Sequence, residues 1–359
     1  YDTDLIWQNA LRTMNLADLM KNLHLDYILP QNIGTALPTD RRIALVMHLY
    51  YEESFENNLA YIASMPSTCD VILTVASKAK AMRIRDYCDR HYQNYHIDIR
   101  IVENRGRAIS ALLVAAGKDL LDYDYVCCLE DRKRDMLSPQ DVGYGSHSKG
   151  FDNTIATKEY VENVIHLFEN SPRLGIAMPT PPNHAWYLPN FVYGWAGDLD
   201  GAKKLIHETL GLNPLPLDNA KEIIAPLNGA MWFRPQALKP LLGHEWKYED
   251  FPEEPLKPDG TINHAIVRSC AYIAQAEGYF PAYILSDRSA RTEITNLAFE
   301  DRELIRAISD TWLSYDIEDT KKNIIRGKRL GNTLLRCTRN LVSRIPLIGP
   351  SLYHLDWGV

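Results

Sequence analysis

Two arginines on either side of a glycine are the first residues in this sequence whose types and spacing suggest chemistry. They belong to the segment Glu103-Asn104-Arg105-Gly106-Arg107, which directly follows a predicted strand at residues 97–102. Guanidinium groups bind phosphate oxygens in a fixed, often bidentate geometry, and a helix N-terminus after the glycine would also attract an anion. We predict that Asn104, Arg105 and Arg107 contact a diphosphate. The alternative is a solvated turn in which an arginine pairs with Glu103.

Two carboxylates and two cations follow another apolar run. They are Glu130, Asp131, Arg132 and Lys133. A pair of carboxylates at a strand end can hold Mg²⁺ or Mn²⁺, and the metal would neutralise a diphosphate. The cations could neutralise it without a metal, and a charged surface loop is a further alternative. We predict diphosphate contacts at Glu130, Asp131 and Lys133, and we leave open whether the two carboxylates bind a divalent cation.

A third cluster of ionisable groups lies in segment 250–255, whose sequence is DFPEEP. Its prolines restrict the backbone around Glu253 and Glu254, which limits the directions these carboxylates can take. A general base that deprotonates a hydroxyl needs such a fixed carboxylate. We predict that Glu253, Glu254 or Asp250 is this base. Asp259 and His264 follow closely and are assigned to the acceptor, although a lone histidine is more often structural.

Aromatic side chains offer flat apolar faces on which sugar rings can stack. Trp195 ends a stretch rich in aromatic residues, and Trp232 lies in the segment that begins at Asn228. We predict that Trp195, Asn228 and Trp232 contact an acceptor. The alternative is that the two tryptophans belong to the core.

Alternating strands and helices must position these groups. Apolar runs predict strands at residues 43–51, 70–75, 97–102 and 125–129, with helical periodicity between them. Strands that are apolar on both faces and alternate with helices indicate an α/β fold with a Rossmann-like, mostly parallel sheet flanked by helices. Ligands bind beyond the carboxyl ends of such strands. We therefore also predict donor contacts at His48, Tyr50, Tyr51 and Ser77.

The pattern along the chain predicts three regions. Residues 1–40 form a helical N-terminal extension. Residues 41–310 form the catalytic domain, with a nucleotide-binding half at 41–135 and an acceptor half at 136–310. Residues 311–359 form a basic amphipathic tail, because eight lysines and arginines and no acidic residue lie between Lys321 and Arg344.

Composition excludes several classes of protein. A net charge of -7 argues against a general nucleic-acid binder, which normally has a basic surface. The six cysteines show no paired short spacing of the zinc-ribbon or CxxC type, so we expect reduced thiols in a cytoplasmic protein. A membrane span needs roughly 18 or more apolar residues in a row, and the sequence has no such stretch. Because the first residue is Tyr1, further domains of a longer polypeptide are possible partners.

Several motifs occur together in a fixed order. They are Asp4-Leu5-Ile6-Trp7, Asn15-Leu16-Ala17-Asp18-Leu19, His48-Leu49-Tyr50-Tyr51, Val102-Glu103-Asn104-Arg105-Gly106-Arg107, Gly229-Ala230-Met231-Trp232-Phe233-Arg234-Pro235, Asp250-Phe251-Pro252-Glu253-Glu254-Pro255 and Asp259-Gly260-Thr261. Taken together they resemble the rhamnan synthesis protein F family, over roughly Tyr1 to Phe280. Several motifs in order are more specific than any single one.

The resemblance implies a bacterial glycosyltransferase of rhamnan, O-antigen or capsule assembly, with the type A nucleotide-sugar-binding fold. In that fold the acidic motif of the fourth strand meets metal and diphosphate, which places these roles on Glu130 and Asp131. A carboxylate after the acceptor loop acts as base, which places this role on Glu253, Glu254 or Asp250. Many relatives have a histidine and a lysine in place of the acidic pair, so metal dependence stays open.

The resemblance also implies partners. The donor would be a dTDP- or UDP-linked hexose or deoxyhexose, with rhamnose first and galactose or galactofuranose next, and a single displacement would invert the anomeric centre. The acceptor would be a lipid-linked glycan. A basic amphipathic tail would lie on an anionic membrane surface, so we predict a cytoplasmic protein at the inner face of the membrane. The alternative for the tail is packing on the catalytic domain or on a neighbouring domain.

Two other functions compete with this interpretation. A nucleotidyltransferase on the same fold normally has a glycine-rich loop after the first strand, whereas this chain has His48-Leu49-Tyr50-Tyr51-Glu52 there. A non-catalytic glycan-binding or scaffolding module would keep the aromatic residues without needing the charged strand ends. The charges at those ends favour the enzyme.

Overall fold

A computed structural model describes residues 2–38, 40–51, 55–131, 150–181, 195, 197–213, 215–218, 222–226, 229–256 and 260–309 of the 359-residue chain. Lys133, Asn228 and Asp259, for which the sequence predicts contacts, lie outside the described residues. The predicted basic tail, residues 311–359, also lies outside them. The roles of these residues stay predictions. The chain divides into two compact units, Tyr1–Asn296 and Leu297–Val359, and the fold described below is that of the first.

An eight-stranded sheet forms the centre of the described part of the chain. Its strands are β1 (Asp26–Leu29), β2 (Ile43–His48), β3 (Asp70–Val75), β4 (His96–Ile101), β5 (Tyr125–Glu130), β6 (Leu174–Pro179), β7 (Met231–Phe233) and β8 (Phe280–Ser286). They are ordered β1-β8-β6-β7-β5-β2-β3-β4 across the sheet. All neighbours are parallel except β7, which runs antiparallel to both β5 and β6. This confirms the predicted mostly parallel α/β sheet.

Helices cover the two faces of the sheet. The described helices are α1 (Thr3–Thr13), α2 (Leu16–Leu23), α3 (Phe55–Leu59), α4 (Lys78–His91), α5 (Arg107–Ala115), α6 (Lys158–Asn170), α7 (Leu199–Lys204), α8 (Lys239–Gly243), α9 (Ile262–Ala276) and α10 (Asp287–Ser309). Strands β2 and β6 are buried along their whole length because helices pack on both sides of them. The hydrophobic effect of this two-sided burial is the main force that holds the sheet together.

The N-terminal segment is more than the helical extension that the sequence predicts. Helix α2 ends at Leu23, and its C-cap His24 has a left-handed φ of 50°. Strand β1 follows and pairs in parallel with β8. Leu11, Leu16 and Leu19 are buried in the same core as the sheet. The boundary predicted at residue 40 therefore does not divide the core. The sequence did not reveal this, because apolar periodicity predicts a helix but not the surface on which the helix packs.

The register of the central strands brings their carboxyl ends together. His48, the last residue of β2, lies opposite Glu130, the last residue of β5. Parallel strands that end at the same level leave a crevice beyond the sheet, where the following loops can hold a ligand.

Candidate functional site

A cleft of about 260 Å³ lies beyond the carboxyl ends of β2 and β5. Its lining residues are His48, Tyr50, Tyr51, Asn104, Arg107, Ala108, Glu130, Asp131 and Glu254. All of them except Ala108 are donor or base candidates from the sequence. The fold thus brings together segments that lie up to about 200 residues apart in the chain, as the rule on strand ends predicts.

Asp131 is held by the backbone that follows β2. Its two carboxylate oxygens accept hydrogen bonds from the amides of Tyr50, at 2.8 Å, and Tyr51, at 2.7 Å. The residue is only 5% exposed, and this burial raises the pKa of Asp131 to about 6, although both amide bonds act in the opposite direction. The carboxyl group is therefore mostly ionised at pH 7 and becomes protonated as the pH falls below about 6.

Lys80 is a residue of this region that sequence analysis missed. It lies on α4, is 8% exposed, and its Nζ donates to the carbonyl oxygen of Tyr50. The same ammonium group lies 5.6 Å from the centre of the Tyr50 ring. The available signal was weak: a lysine on the first turn of a helix that follows a strand end. Lysine is seldom buried unless it is paired, so its burial here indicates a specific role.

His48 is buried beside the cleft, with Nδ1 2.9 Å from Thr74 Oγ1. Burial, and then the charge of Lys80, lower the pKa of His48 to about 4. The ring is therefore neutral near pH 7 and can donate one hydrogen bond and accept another.

The turn from β4 into α5 has a left-handed backbone at two successive residues. Gly106 has a φ of 73° and Arg107 a φ of 52°. A Cβ on Gly106 would lie 2.7 Å from Phe251 Cβ and 2.8 Å from Ser110 Cβ, so only glycine fits. Asn263, on α9, donates through Nδ2 to the carbonyl oxygen of Gly106. The turn is thus fixed from several sides.

Arg105 joins this turn to segment 250–255. It forms an isolated antiparallel bridge with Glu253, and its Nε donates to Phe251 O at 2.5 Å. Its Nη1 lies 3.4 Å from Glu253 Oε1. Arg105 therefore connects the turn to segment 250–255, while Arg107 lines the cleft.

The three candidate bases differ in their surroundings. Glu253 is 82% exposed and pairs with Arg105. Asp250 accepts a hydrogen bond from the amide of Lys247 and closes a short 3₁₀ turn. Glu254 lines the cleft, with Oε1 3.8 Å from Arg107 Nε.

The two oxygens of Glu254 also differ. Oε2 accepts from the amide of Leu256 at 3.0 Å, which fixes the carboxylate. Oε1 is buried and accepts no hydrogen bond from any residue that the structure describes. An oriented carboxylate that keeps one oxygen without a hydrogen-bond donor among the described residues, beside Arg107, has the geometry of a general base.

The structure corrects the predicted sugar-stacking role of two tryptophans. Trp232 is fully buried because it lies on β7 in the middle of the sheet, and its Nε1 donates to Thr154 O at 2.7 Å. Trp195 is 1% exposed and packs on Tyr272, with ring centroids 5.2 Å apart. Both are core residues, and neither offers a face to a sugar.

Two other predicted contacts serve helix ends. Ser77 is the N-cap of α4, where its hydroxyl accepts from the amide of Lys80. The Nδ1 of His264 lies 2.8 Å from the hydroxyl of Thr261, the residue that precedes α9. Ser77 and His264 are not among the residues that line the described cleft.

The described residues do not fit a metal site. They contain no group of three histidine, cysteine or acidic side chains that converge, and both oxygens of Asp131 already bind amides. Ca²⁺ and Mg²⁺ need several oxygen ligands, so Glu130 and Asp131 alone form a poor site.

A mostly parallel α/β sheet with a charged cleft beyond its strand ends is typical of proteins that bind nucleotides. A profile of the family described as rhamnan synthesis protein F matches residues 1–279 of this chain. The chain therefore belongs to the rhamnan synthesis protein F family. Membership confirms the resemblance seen in the motifs.

Relatives and solved structures extend the comparison. The chain is 26% identical over 226 residues to the uncharacterized protein WxcX of two Xanthomonas campestris pv. campestris strains, a match that covers 62% of this chain and 30% of WxcX. The chain thus spans less than a third of that relative.

Solved structures with similar folds are distant. The structure of S. aureus TarS 1-349 is 14% identical, with a TM-score of 0.38 over 68% of this chain and 58% of that one. The structure of TarS 1-349 in complex with UDP is 11% identical, with a TM-score of 0.37 over 68% of this chain and 58% of that one. The structure of the mannosyltransferase Ktr4p from S. cerevisiae is 9% identical, with a TM-score of 0.33 over 65% of this chain and 71% of that one.

Within the part of the chain that the structure describes, no helix combines the length and apolar character needed to cross a bilayer.

Proposed function

We propose that this protein transfers a sugar from a nucleoside-diphosphate donor to a growing cell-surface polysaccharide, and that the cleft between β2, β5 and segment 250–255 is the catalytic site. The observation that carries the proposal is the pairing of Arg107 with the fixed carboxylate of Glu254 in this cleft. A cation for a leaving phosphate and a base for an attacking hydroxyl are the two charges that the reaction needs.

The reaction is a single displacement. Glu254 Oε1 takes the proton of the acceptor hydroxyl as its oxygen attacks the anomeric carbon. The bond between that carbon and the diphosphate oxygen breaks, and the diphosphate leaves with its electron pair. Arg107 stabilises the charge that develops on it, and the configuration at the anomeric carbon inverts.

The remaining lining residues bind the donor. Tyr50 and Tyr51 follow β2 at the edge of the cleft, and their rings meet edge to face with centroids 5.1 Å apart. Tyr50 is 42% exposed and offers a flat face to a nucleotide base. Neutral His48 and Asn104 supply uncharged hydrogen-bonding groups for the ribose or the sugar.

The finer features follow the family. We propose a dTDP- or UDP-linked deoxyhexose or hexose as donor, rhamnose before galactose or galactofuranose, and a lipid-linked glycan of an O-antigen, capsule or rhamnan as acceptor. We further propose that the basic tail after residue 311 holds the protein at the cytoplasmic face of the membrane.

The alternative of a non-catalytic glycan-binding module loses support. That interpretation relied on exposed aromatic residues, whereas Trp195 and Trp232 are buried. The cleft is lined instead by charged and hydrogen-bonding groups.

Calorimetric titration with UDP, dTDP and GDP tests the donor site. We expect one nucleotide to bind, and Arg107→Ala to weaken its affinity about tenfold to a hundredfold, since a hydrogen bond to a charged group contributes about 1.5–3 kcal/mol. Arg90→Ala, on the exposed end of α4, is the matched control and should bind as the wild type does. Absence of binding by all three nucleotides would refute the proposed donor site.

A further inference from the structure

Three polar groups of the backbone after β2 are bound by two buried side chains. The amides of Tyr50 and Tyr51 donate to Asp131, and the carbonyl oxygen of Tyr50 accepts from Lys80. Asp131 follows β5, whereas Lys80 belongs to α4, which follows β3. Two separate elements therefore hold one short segment.

Such an arrangement fixes the segment strongly. Both side chains are at most 8% exposed, so water competes little for these hydrogen bonds. Each bond is charge-assisted, which makes it stronger than a bond between neutral groups. Without Asp131 the amide of Tyr50 would need another acceptor, and without Lys80 its carbonyl oxygen would need another donor.

We propose that Lys80 and Asp131 are positioning residues that hold the Tyr50–Tyr51 backbone in the shape that binds the donor nucleotide, and that Asp131 does this instead of binding a divalent cation. We name this pair the Lys80–Asp131 clamp. The inference rests on the proposed function of the cleft, because it assigns a role within donor binding.

The geometry of Asp131 separates the two roles. Each oxygen of Asp131 already accepts one amide hydrogen bond, at 2.8 Å and 2.7 Å, so a cation would have to share both oxygens with the amides. A buried ammonium group beside the same segment adds repulsion against a second cation. The other ionisable groups that line the cleft are His48, Glu130, Arg107, Glu254 and the two tyrosines.

Amide hydrogen exchange tests the clamp without any nucleotide. Asp131→Asn presents an NH₂ group to one of the two amides, which loses its acceptor. We expect the amide that faces this NH₂ group, that of Tyr50 or Tyr51, to exchange about tenfold faster or more, while the amides of β3 keep their protection. Asp89→Asn, an exposed aspartate on α4, should change nothing there. Unchanged exchange at Tyr50 and Tyr51 in Asp131→Asn would overturn the clamp.

Nucleotide affinity tests whether the Lys80–Asp131 clamp supports donor binding. UDP, dTDP and GDP are titrated in Mn²⁺ and, separately, in EDTA. We expect Asp131→Asn and Lys80→Met to weaken binding about tenfold by the same factor in both solutions, and Lys80→Arg to recover most of the affinity because it keeps the charged donor. Lys78→Met, an exposed lysine on the same helix, should behave as the wild type.

The outcomes are distinct. A loss of affinity in Asp131→Asn that occurs only with Mn²⁺ would make Asp131 a metal ligand and overturn the inference. Wild-type affinity in Lys80→Met would overturn it as well. If the wild-type protein binds none of the three nucleotides, the proposed function fails, and the exchange experiment still decides whether the clamp exists.

Discussion

His48 and Asp131 lie in the same cleft, and burial shifts their pKa values in opposite directions. The pKa of His48 falls from 6.5 to about 4 and that of Asp131 rises from 3.8 to about 6, in both cases first because burial disfavours the charged form. Near neutral pH the cleft therefore holds a neutral imidazole and a carboxyl group close to its titration range.

These shifts predict how stability depends on pH. The contribution of His48 is present above pH 6.5 and is lost as the pH falls towards about 4, because the unfolded state binds the extra proton. The contribution of Asp131 is present below pH 3.8 and is lost as the pH rises towards about 6, because the folded state binds the extra proton. The two effects oppose each other over most of this range.

Single substitutions should separate the two effects. On acidification from about pH 6.5 to about pH 4.5, Asp131→Asn should lose about 2 kcal/mol more unfolding free energy than the wild type, since only His48 still titrates. His48→Gln should change in the opposite direction by a similar amount. Denaturant unfolding at the two pH values measures both, and parallel behaviour of the two variants would contradict the assigned shifts.

At the residue scale, the local chemistry of a side chain can be predicted from the sequence better than its burial can. The charges of Arg107 and Asp131 could be predicted because they follow apolar strands, where ligands of parallel sheets bind. Lys80 could not, because its partner lies 30 positions earlier and its burial depends on tertiary packing. The tryptophans were assigned wrongly because an aromatic side chain suits a core as well as a sugar.

At the scale of elements, the turn between β4 and α5 connects fold and site. It places Arg107 in the cleft, and Gly106 is required there by both its φ of 73° and its contact with Phe251. We expect Gly106→Ala to lower the unfolding free energy by about 2–5 kcal/mol, as left-handed strain costs roughly 1–2 and overpacking roughly 1–3 kcal/mol.

Two other glycines separate these causes. Gly211 has a φ of 67° with open space around it, so Gly211→Ala should show strain alone. Gly243 has no left-handed φ and no atom close to the position of a Cβ, so Gly243→Ala should be close to neutral. Thermal and denaturant unfolding compare the three variants. A loss in Gly106→Ala no larger than that in Gly211→Ala would refute the close packing against Phe251.

Most elements could be predicted from the sequence, but their arrangement could not. The strands from β2 to β5 begin and end within about three residues of the predicted positions. Strand β1 was missed because four residues after a helical pattern give little periodicity. The position of β7 between β5 and β6 depends on long-range pairing that no local pattern encodes.

At the scale of the whole molecule, the cleft depends on distant parts of the chain. His48, Arg107, Asp131 and Glu254 meet there because the sheet order places β5 beside β2 and the bridge at Arg105 brings in segment 250–255. The family match over residues 1–279 includes all four residues. The matched part of the chain covers 30% of WxcX, so the proposed transferase activity is that of this chain and not of such longer proteins as a whole.

Release of nucleoside diphosphate from UDP-, dTDP- and GDP-linked hexoses, followed over time with and without glycan acceptors, tests the proposed transferase most directly. We predict release by the wild type, and a decrease of about a hundredfold or more in Glu254→Gln, since a general base typically contributes 10²–10⁴-fold. Glu253→Gln, whose side chain is 82% exposed, should retain most of the activity. Equal activity in Glu254→Gln and the wild type, or no release from any donor, would contradict the assignment of this cleft as a glycosyltransferase site.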